Sequence, residues 1–219
     1  MKELKFLNFI FIFPVLILGC ATKISESEKN ALKNELKNMV EIDQIAAYIP
    51  QGKYKDYTPE QWNRFKDSVF ITNKTNLEKI YKRYGFLGFD KVGKEGSNDF
   101  WLLVQHCDEF PEFQKNVLKS MIIEVKKNNA NPRNYAYLYD RVKVNGGEKQ
   151  LFGTQVSYEI NTTARAIPKN GLIDSVNVDK LRQEYNLESL KDYLNQMTEM
   201  HYEMNKKIYE EQGIKPKLY

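Results

Sequence analysis

The helical spacing of its apolar residues constrains the fold of this chain more than any other feature of its sequence. Along residues 32–47, apolar side chains recur at spacings of three and four, which places them on one face of a helix. Similar patterns occupy 58–84, 108–125 and 131–142, and each begins with a capping residue or with proline in the first turn. At the first of these starts, Thr58 and Gln61 have the spacing of a capping box. The sequence therefore predicts several helices that each bury one face.

Strand signals occur only in the later part of the chain. Asn145-Gly146-Gly147 is a turn signal, and the polar and apolar residues of 149–156 predict a strand after it. A second short strand is predicted from Ala164 to Ile167, and two more helices over about 177–185 and 188–212. We therefore predict an α+β fold, mainly α-helical, with a small late β-hairpin or sheet.

The start of the chain has the features of an export signal. Lys2 and Lys5 precede an apolar run from Phe6 to Leu18, which is shorter than the roughly 20 residues that span a bilayer. Ile17-Leu18-Gly19-Cys20 matches the lipobox pattern, in which the chain is cut before a cysteine that becomes lipidated. A lipidated N-terminus carries more than one acyl chain, as stable membrane attachment requires.

These signals predict three parts of the chain. Residues 1–19 are expected to be a lipoprotein signal peptide, 20–30 a lipidated tether and 31–219 a single globular domain of unknown function. The expected location is the bacterial cell envelope, with the protein anchored by lipid to the periplasmic face of a Gram-negative membrane. The expected partners are membrane lipid, through acylated Cys20, and an unknown small polar ligand or protein.

Cysteine, histidine and charge content exclude several other classes of protein. The chain has two cysteines, so lipidation of Cys20 leaves only Cys107, no intramolecular disulfide can form, and we expect Cys107 to be buried. A formal net charge of +4, with acidic and basic residues interleaved, provides no concentrated basic face for nucleic acid. His106 and His201 are the only histidines and neither lies in a two-ligand helical motif, so we predict no metal site and no cofactor.

Polar side chains follow apolar segments at three places, and these are the candidate functional residues. Because an unpaired buried polar group costs roughly 1–3 kcal/mol, we expect these side chains to bind one another around one centre. His106, Asp140, Arg141 and Gln155 should then share one pocket or network. The full set of candidates is Gln105, His106, Asp108, Asp140, Arg141, Gln150, Thr154 and Gln155. Asp43 lies near the end of the apolar stripe of the first helix, so Asp43 and Gln44 are candidates for the edge of a pocket.

These three segments resemble a bacterial family of unknown function, domain-of-unknown-function family 6624. The family patterns are Gln-His-Ala-Asp, Ala-Tyr-Leu-x-Asp-Arg-Val and Gln-x-Tyr-Gly-Thr-Gln, and the similarity extends from about residue 32 to residue 193. Asp43-Gln44 and Val178-Asp179 are weaker landmarks. Cys107 stands where the family has alanine, which argues against a catalytic thiol, and Phe152 stands where it has tyrosine. The resemblance implies no known reaction.

Two classes of function remain open. We favour a binding or structural module, in which the polar residues hold a ligand or fix the sheet against the helices. The alternative is a metal-independent hydrolase or transferase, in which His106 acts as general acid or base, oriented by Asp140 or Asp108, while Arg141 or Gln155 binds a polar or anionic substrate group. Asp108 has a second interpretation as the cap of the following helix. An exposed groove with His106 at its floor would favour the enzyme.

The lipobox generates the first testable prediction. Replacing the lipidated residue, Cys20→Ser, should release the protein from the membrane fraction or block its maturation, because no other segment is predicted to anchor it. Metabolic labelling with a fatty-acid probe measures the modification directly, and Cys107→Ser is the matched control that should remain labelled. Persistent labelling of the Cys20→Ser protein would show that the lipoprotein assignment is wrong.

Overall fold

The computed structural model describes residues 24–219, and it has the predicted mainly helical α+β fold. The predicted signal peptide and the lipid anchor at Cys20 lie outside the described residues. Five helices form the first part: α1 Glu26–Ala47, α2 Pro59–Tyr84, α3 Phe89–Gln105, α4 Pro111–Lys126 and α5 Pro132–Asn145. The second part contains β1 Val156–Tyr158, β2 Ala166–Pro168, α6 Val178–Glu184, α7 Leu190–Met204 and α8 Lys206–Glu211. No helix within residues 24–219 is long and apolar enough to cross a membrane.

The helices begin at capping residues. Thr58 and Gln61 form the predicted capping box at the start of α2, and Asn131 accepts a hydrogen bond from the first turn of α5. Helix α1 begins earlier than the sequence indicated, because Ser25 and Glu28 form a second capping box. Residues 26–30, which we expected in the tether, are therefore helical.

The main core lies between the first five helices. Leu36 of α1, Leu77 of α2 and Phe100 of α3 are all fully buried there, and each such side chain contributes roughly 1.5–3 kcal/mol relative to exposure. Helix α1 packs mainly against α3, and α4 packs against α5. This arrangement places the end of α1, the middle of α2 and the end of α3 next to one another.

The predicted strand over residues 149–156 is wrong, because most of that segment is a loop. Of the residues in this segment, only Val156 belongs to β1. Strand β1 pairs antiparallel with β2 in the register Val156 to Pro168 and Tyr158 to Ala166. In the loop, Gly153 has a φ of +72°, a conformation that favours glycine and interrupts extended backbone. The backbone N–H groups of the loop bind a carboxylate instead of a neighbouring strand, as described below.

The last predicted helix, 188–212, is broken at Asn205 into α7 and α8. His201 of α7 stacks on Tyr158 of β1, with ring centroids 3.6 Å apart and planes 11° apart. Its Nε2 lies 2.9 Å from the hydroxyl of Tyr209 in α8. Burial lowers the pKa of His201 from its usual value of 6.5, because the cationic form loses hydration in this contact.

The lowered pKa of His201 predicts that the folded protein loses stability in acid. The unfolded chain binds a proton at position 201 more tightly than the folded chain does, so stability should fall as the pH decreases from about 7.5 through 6.5 to about 5. Urea unfolding across that range should show a smaller loss for His201→Phe, which can stack but cannot be protonated. Tyr209→Phe keeps the histidine and should retain the wild-type slope. An equal slope for His201→Phe and wild type would contradict this assignment.

Candidate functional site

The functional candidate with the clearest geometry is His106, the residue that follows α3. Its Nδ1 lies 2.5 Å from Oδ2 of Asp43, which comes from α1 and is fully buried. We expected Asp140 or Asp108 to orient this imidazole. That expectation is wrong, because packing of α1 against α3 brings a carboxylate from 63 residues earlier in the chain to the ring.

Two further side chains hold the Asp43 carboxylate in place. Asn73 of α2 is buried and donates from Nδ2 to Oδ1 of Asp43 at 3.2 Å. Gln44 donates from Nε2 to Oδ2 at 3.2 Å. Such hydrogen bonds offset the cost of burying a charged group, which would otherwise be several kcal/mol. Asp43 is therefore a fixed partner that sets the orientation of the His106 ring.

A cavity of about 210 Å³ opens beside the imidazole. The His106 side chain is 19% exposed, and the ring of Phe70 contacts it with the centroids 5.7 Å apart. Nδ1 is turned toward Asp43, and Nε2 forms no hydrogen bond with any residue in 24–219. The second nitrogen of the ring is therefore available to a ligand. The cavity is lined by Lys66, Asp67, Phe70, His106, Asp108, Glu109 and Phe110.

Asp108 and Arg141 bind each other at the edge of this cavity. Arg141 donates from Nε to Oδ1 at 2.8 Å and from Nη2 to Oδ2 at 2.5 Å, a bidentate geometry that fixes both side chains. Asn145 and Gln114 also donate to Oδ1 of Asp108. The alternative role of Asp108 as a helix cap is wrong, because Phe110 is the N-cap residue of α4. Arg141 is already paired with Asp108 through Nε and Nη2, which leaves less of its guanidinium for the anionic substrate group that we expected.

Asp140 binds the loop that replaces the predicted strand. Its fully buried carboxylate accepts from the backbone N–H groups of Leu151 at 2.8 Å, Phe152 at 3.2 Å and Thr154 at 2.9 Å, and from the Thr154 hydroxyl at 3.0 Å. Burial raises the pKa of Asp140, while these hydrogen bonds oppose the rise. Arg182, also fully buried, donates to the carbonyl of Phe152 at 2.6 Å. Asp140 therefore has a structural role.

The remaining glutamines of the motifs have different partners, and only the Gln150 side chain binds backbone groups. The Gln150 amide donates to the carbonyls of Gln155 at 2.7 Å and Lys169 at 2.6 Å, and it accepts from Gln155 N–H. The Gln155 side chain donates to the Thr154 hydroxyl at 3.3 Å. Gln105 is buried at the end of α3, and its carbonyl accepts from Gln114. These groups position the loop and the start of α4.

The expected single centre is therefore not formed. Asp108 and Arg141 join the first motif to the second, and Asp140 joins the second to the third, but no hydrogen bond within residues 24–219 links His106 to Asp140 or Gln155. Sequence reasoning missed Asn73 and did not assign Asp43 to His106. The place of Asp43 near the end of the apolar stripe of α1 did predict that it lies at the edge of a pocket, but it did not indicate which side chain the carboxylate binds.

Cys107 lies next to His106 but points away from the cavity. Its thiol is buried and is 3.5 Å from the carbonyl of Leu103. Burial raises the pKa of Cys107 to about 12, so the nucleophilic thiolate is scarce at neutral pH. Within residues 24–219, no group of three or more His, Cys, Asp or Glu side chains is arranged to hold a metal ion.

Comparison with known proteins identifies a family but no activity. Residues 30–207 match the model of a family described as Family of unknown function (DUF6624). No curated protein and no solved structure matches the chain. The matched segment runs from α1 into α8 and includes Asp43, His106 and Asp140.

The loop geometry predicts a strong effect of Asp140→Ala. Three backbone N–H groups and one hydroxyl would lose their acceptor inside the protein, so the free energy of unfolding should fall by about 2–4 kcal/mol. Denaturant titration measures this loss. Asp67→Ala, at an exposed position, is the matched control and should change stability by less than about 0.5 kcal/mol. Equal effects of the two substitutions would contradict the structural role of Asp140.

Proposed function

The chain belongs to the DUF6624 family of unknown function, as its motifs predicted, and from the geometry of the His106 cavity we propose that it is an acid–base catalyst. His106 is the catalytic residue and Asp43 is its positioning residue. The reaction class is hydrolysis, or transfer to a small acceptor, of a substrate that enters the cavity. The observation that carries the proposal is an imidazole with one nitrogen bound to a buried carboxylate and the other open to a ligand.

Each proton has a defined position in this mechanism. In neutral His106, Nδ1–H donates to Asp43, which leaves the lone pair of Nε2 directed to the cavity. Nε2 removes a proton from the attacking water or hydroxyl group, and the resulting imidazolium is stabilised by the Asp43 carboxylate. Nε2–H then returns the proton to the leaving group, which restores the neutral ring.

The attacking nucleophile comes from water or from the substrate. Among the described residues, no Ser, Thr, Cys or Tyr side chain lines the cavity, and the Cys107 thiol is buried. Lys66 lines the same cavity and has no ion pair with another described residue. Its ammonium group is available to stabilise negative charge that develops during attack.

A purely structural role fits His106 less well than it fits Asp140. Asp140 uses both carboxylate oxygens, and its partners are all groups of the protein. The His106 ring instead has one partner in the protein, Asp43, and its second nitrogen has none among residues 24–219 in a side chain that lines a cavity. Our initial preference for a binding or structural module therefore applies better to the Asp140 loop than to the His106 cavity.

We propose further that this catalyst acts in the cell envelope. The lipobox at Ile17 to Cys20 supports lipidation, and helix α1 begins six residues after Cys20. The domain would then lie close to the membrane surface, and its substrate would be a component of the envelope or a solute that enters it. The labelling experiment on Cys20→Ser tests this part of the proposal independently.

Reactivity of His106 can be tested without knowing the substrate. Diethyl pyrocarbonate acylates an accessible neutral imidazole, so mass spectrometry should show His106 modified at least about 10-fold faster than His201, whose Nε2 faces Tyr209. Asp43→Asn should lower the rate at His106, because the amide no longer fixes the open lone pair on Nε2. Equal rates at the two histidines would overturn the proposed geometry.

Catalysis itself is tested with p-nitrophenyl acetate, phosphate and glycoside substrates. His106→Gln and Asp43→Asn should each lower the turnover of an accepted substrate by about 10²- to 10⁴-fold, the usual contribution of general acid–base catalysis. The melting temperature of His106→Gln should remain close to wild type, because Gln44 and Asn73 still donate to the two oxygens of Asp43. His201→Gln should retain wild-type turnover. Unchanged turnover in His106→Gln, or no turnover by wild type of any of these substrates, would overturn the proposal.

A further inference from the structure

The rim of the His106 cavity carries carboxylates without partners. Asp67 of α2 and Glu109, between α3 and α4, line the cavity and are exposed. Neither forms an ion pair or a hydrogen bond with any residue in 24–219. Asp108 also lines the cavity, but Arg141 neutralises it. Lys66 is the one lining residue with a cationic side chain among those described, so the two free carboxylates give the opening a net negative charge.

The walls of the cavity are suited to a cation on an apolar stem. Phe70 and Phe110 supply aromatic rings. The ammonium nitrogen of Lys74, which is paired with Glu78 at 3.0 Å, lies 4.4 Å from the centroid of the Phe110 ring. Phe110 therefore already binds a cation of the protein, and Phe110 and Phe70 offer a ligand apolar surface for its stem. An aliphatic stem can contact such rings while its charged end remains near the carboxylates.

The volume limits the size of the group that enters. At about 210 Å³, the cavity is smaller than the roughly 300–1,000 Å³ typical of sites that enclose a whole ligand. It can hold one side chain or one short branch of a larger substrate. Together with the rim charges, this size favours a single amine or guanidinium group on a short stem.

We propose that the cavity selects substrates that carry such a positively charged group, and that Asp67 and Glu109 are its specificity-determining residues. The inference rests on the proposed function in treating the cavity as a substrate site. It concerns binding, however, and binding can be measured without turnover. A cationic group held at the rim would place the neighbouring polar bond of the substrate near Nε2 of His106, where its hydrolysis would begin.

The test is an NMR titration of the full chain in detergent with three matched probes. Nα-acetyl-lysine amide carries the cation, Nα-acetyl-norleucine amide has a similar stem without charge, and Nα-acetyl-glutamate amide is anionic. The lysine probe should shift the His106 imidazole resonances and bind at least about 5-fold more tightly than either of the others at low salt. A fourth probe, 1,5-diaminopentane, distinguishes a free amine from a peptide-borne one.

Variants in which an uncharged amide replaces each carboxylate identify the residues responsible for the affinity. Asp67→Asn with Glu109→Gln should lower the affinity for the lysine probe by about 4- to 25-fold, since each exposed carboxylate contributes a factor of roughly two to five. Glu184→Gln with Glu199→Gln, at exposed positions outside the lining of the cavity, changes the net charge equally and should leave affinity unchanged.

The outcomes separate this inference from the proposed catalysis. Absence of saturable binding of the lysine probe, equal binding of the norleucine probe, or equal loss in both double variants would overturn the charge preference. If wild type prefers the lysine probe but hydrolyses no substrate, catalysis fails and the preference stands. His106→Gln should keep the preference while losing turnover.

Discussion

The buried carboxylate of Asp43 is the interaction on which the site depends. It joins α1 to α2 through Asn73 and to the end of α3 through His106, so three helices converge on one charged group. Such a group is costly in an apolar core unless each oxygen has a donor, and here both oxygens have one. The packing of the first helices and the orientation of the catalytic candidate therefore depend on the same hydrogen bonds.

Asp140 is a second buried carboxylate, but its hydrogen bonds serve a structural role. Its carboxylate is also fully buried, but its donors are the backbone and hydroxyl of one loop, and Arg182 binds that loop from another side. The hydrogen bonds of the Asp140 carboxylate all end on groups of the protein, and they stabilise the junction between the five-helix part and the later sheet and helices. The Asp43 network instead ends at an imidazole nitrogen that faces a cavity. This difference separates the structural motif from the candidate active site.

In the proposed site, different residues of the cavity transfer the proton and bind the substrate. His106 at the floor supplies the proton acceptor, and its ring is held by Asp43 and by contact with Phe70. Asp67 and Glu109 are exposed and make no interaction with another described residue, so they are free to interact with a ligand. The ion pair of Asp108 with Arg141 stabilises the edge of the cavity and joins it to α5.

Local features of the sequence were sufficient for most of the helices and for part of the site. Thr58 and Gln61 predicted a helix start that the structure confirms, because capping depends on residues three positions apart. His106 was identifiable as a polar residue after a buried run. The strand predicted at 149–156 was wrong, because its backbone donors bind Asp140, a partner that local alternation of residue types does not reveal. Only the tertiary structure decided that Asp43, and neither Asp140 nor Asp108, orients His106, because that choice depends on how α1 packs against α3.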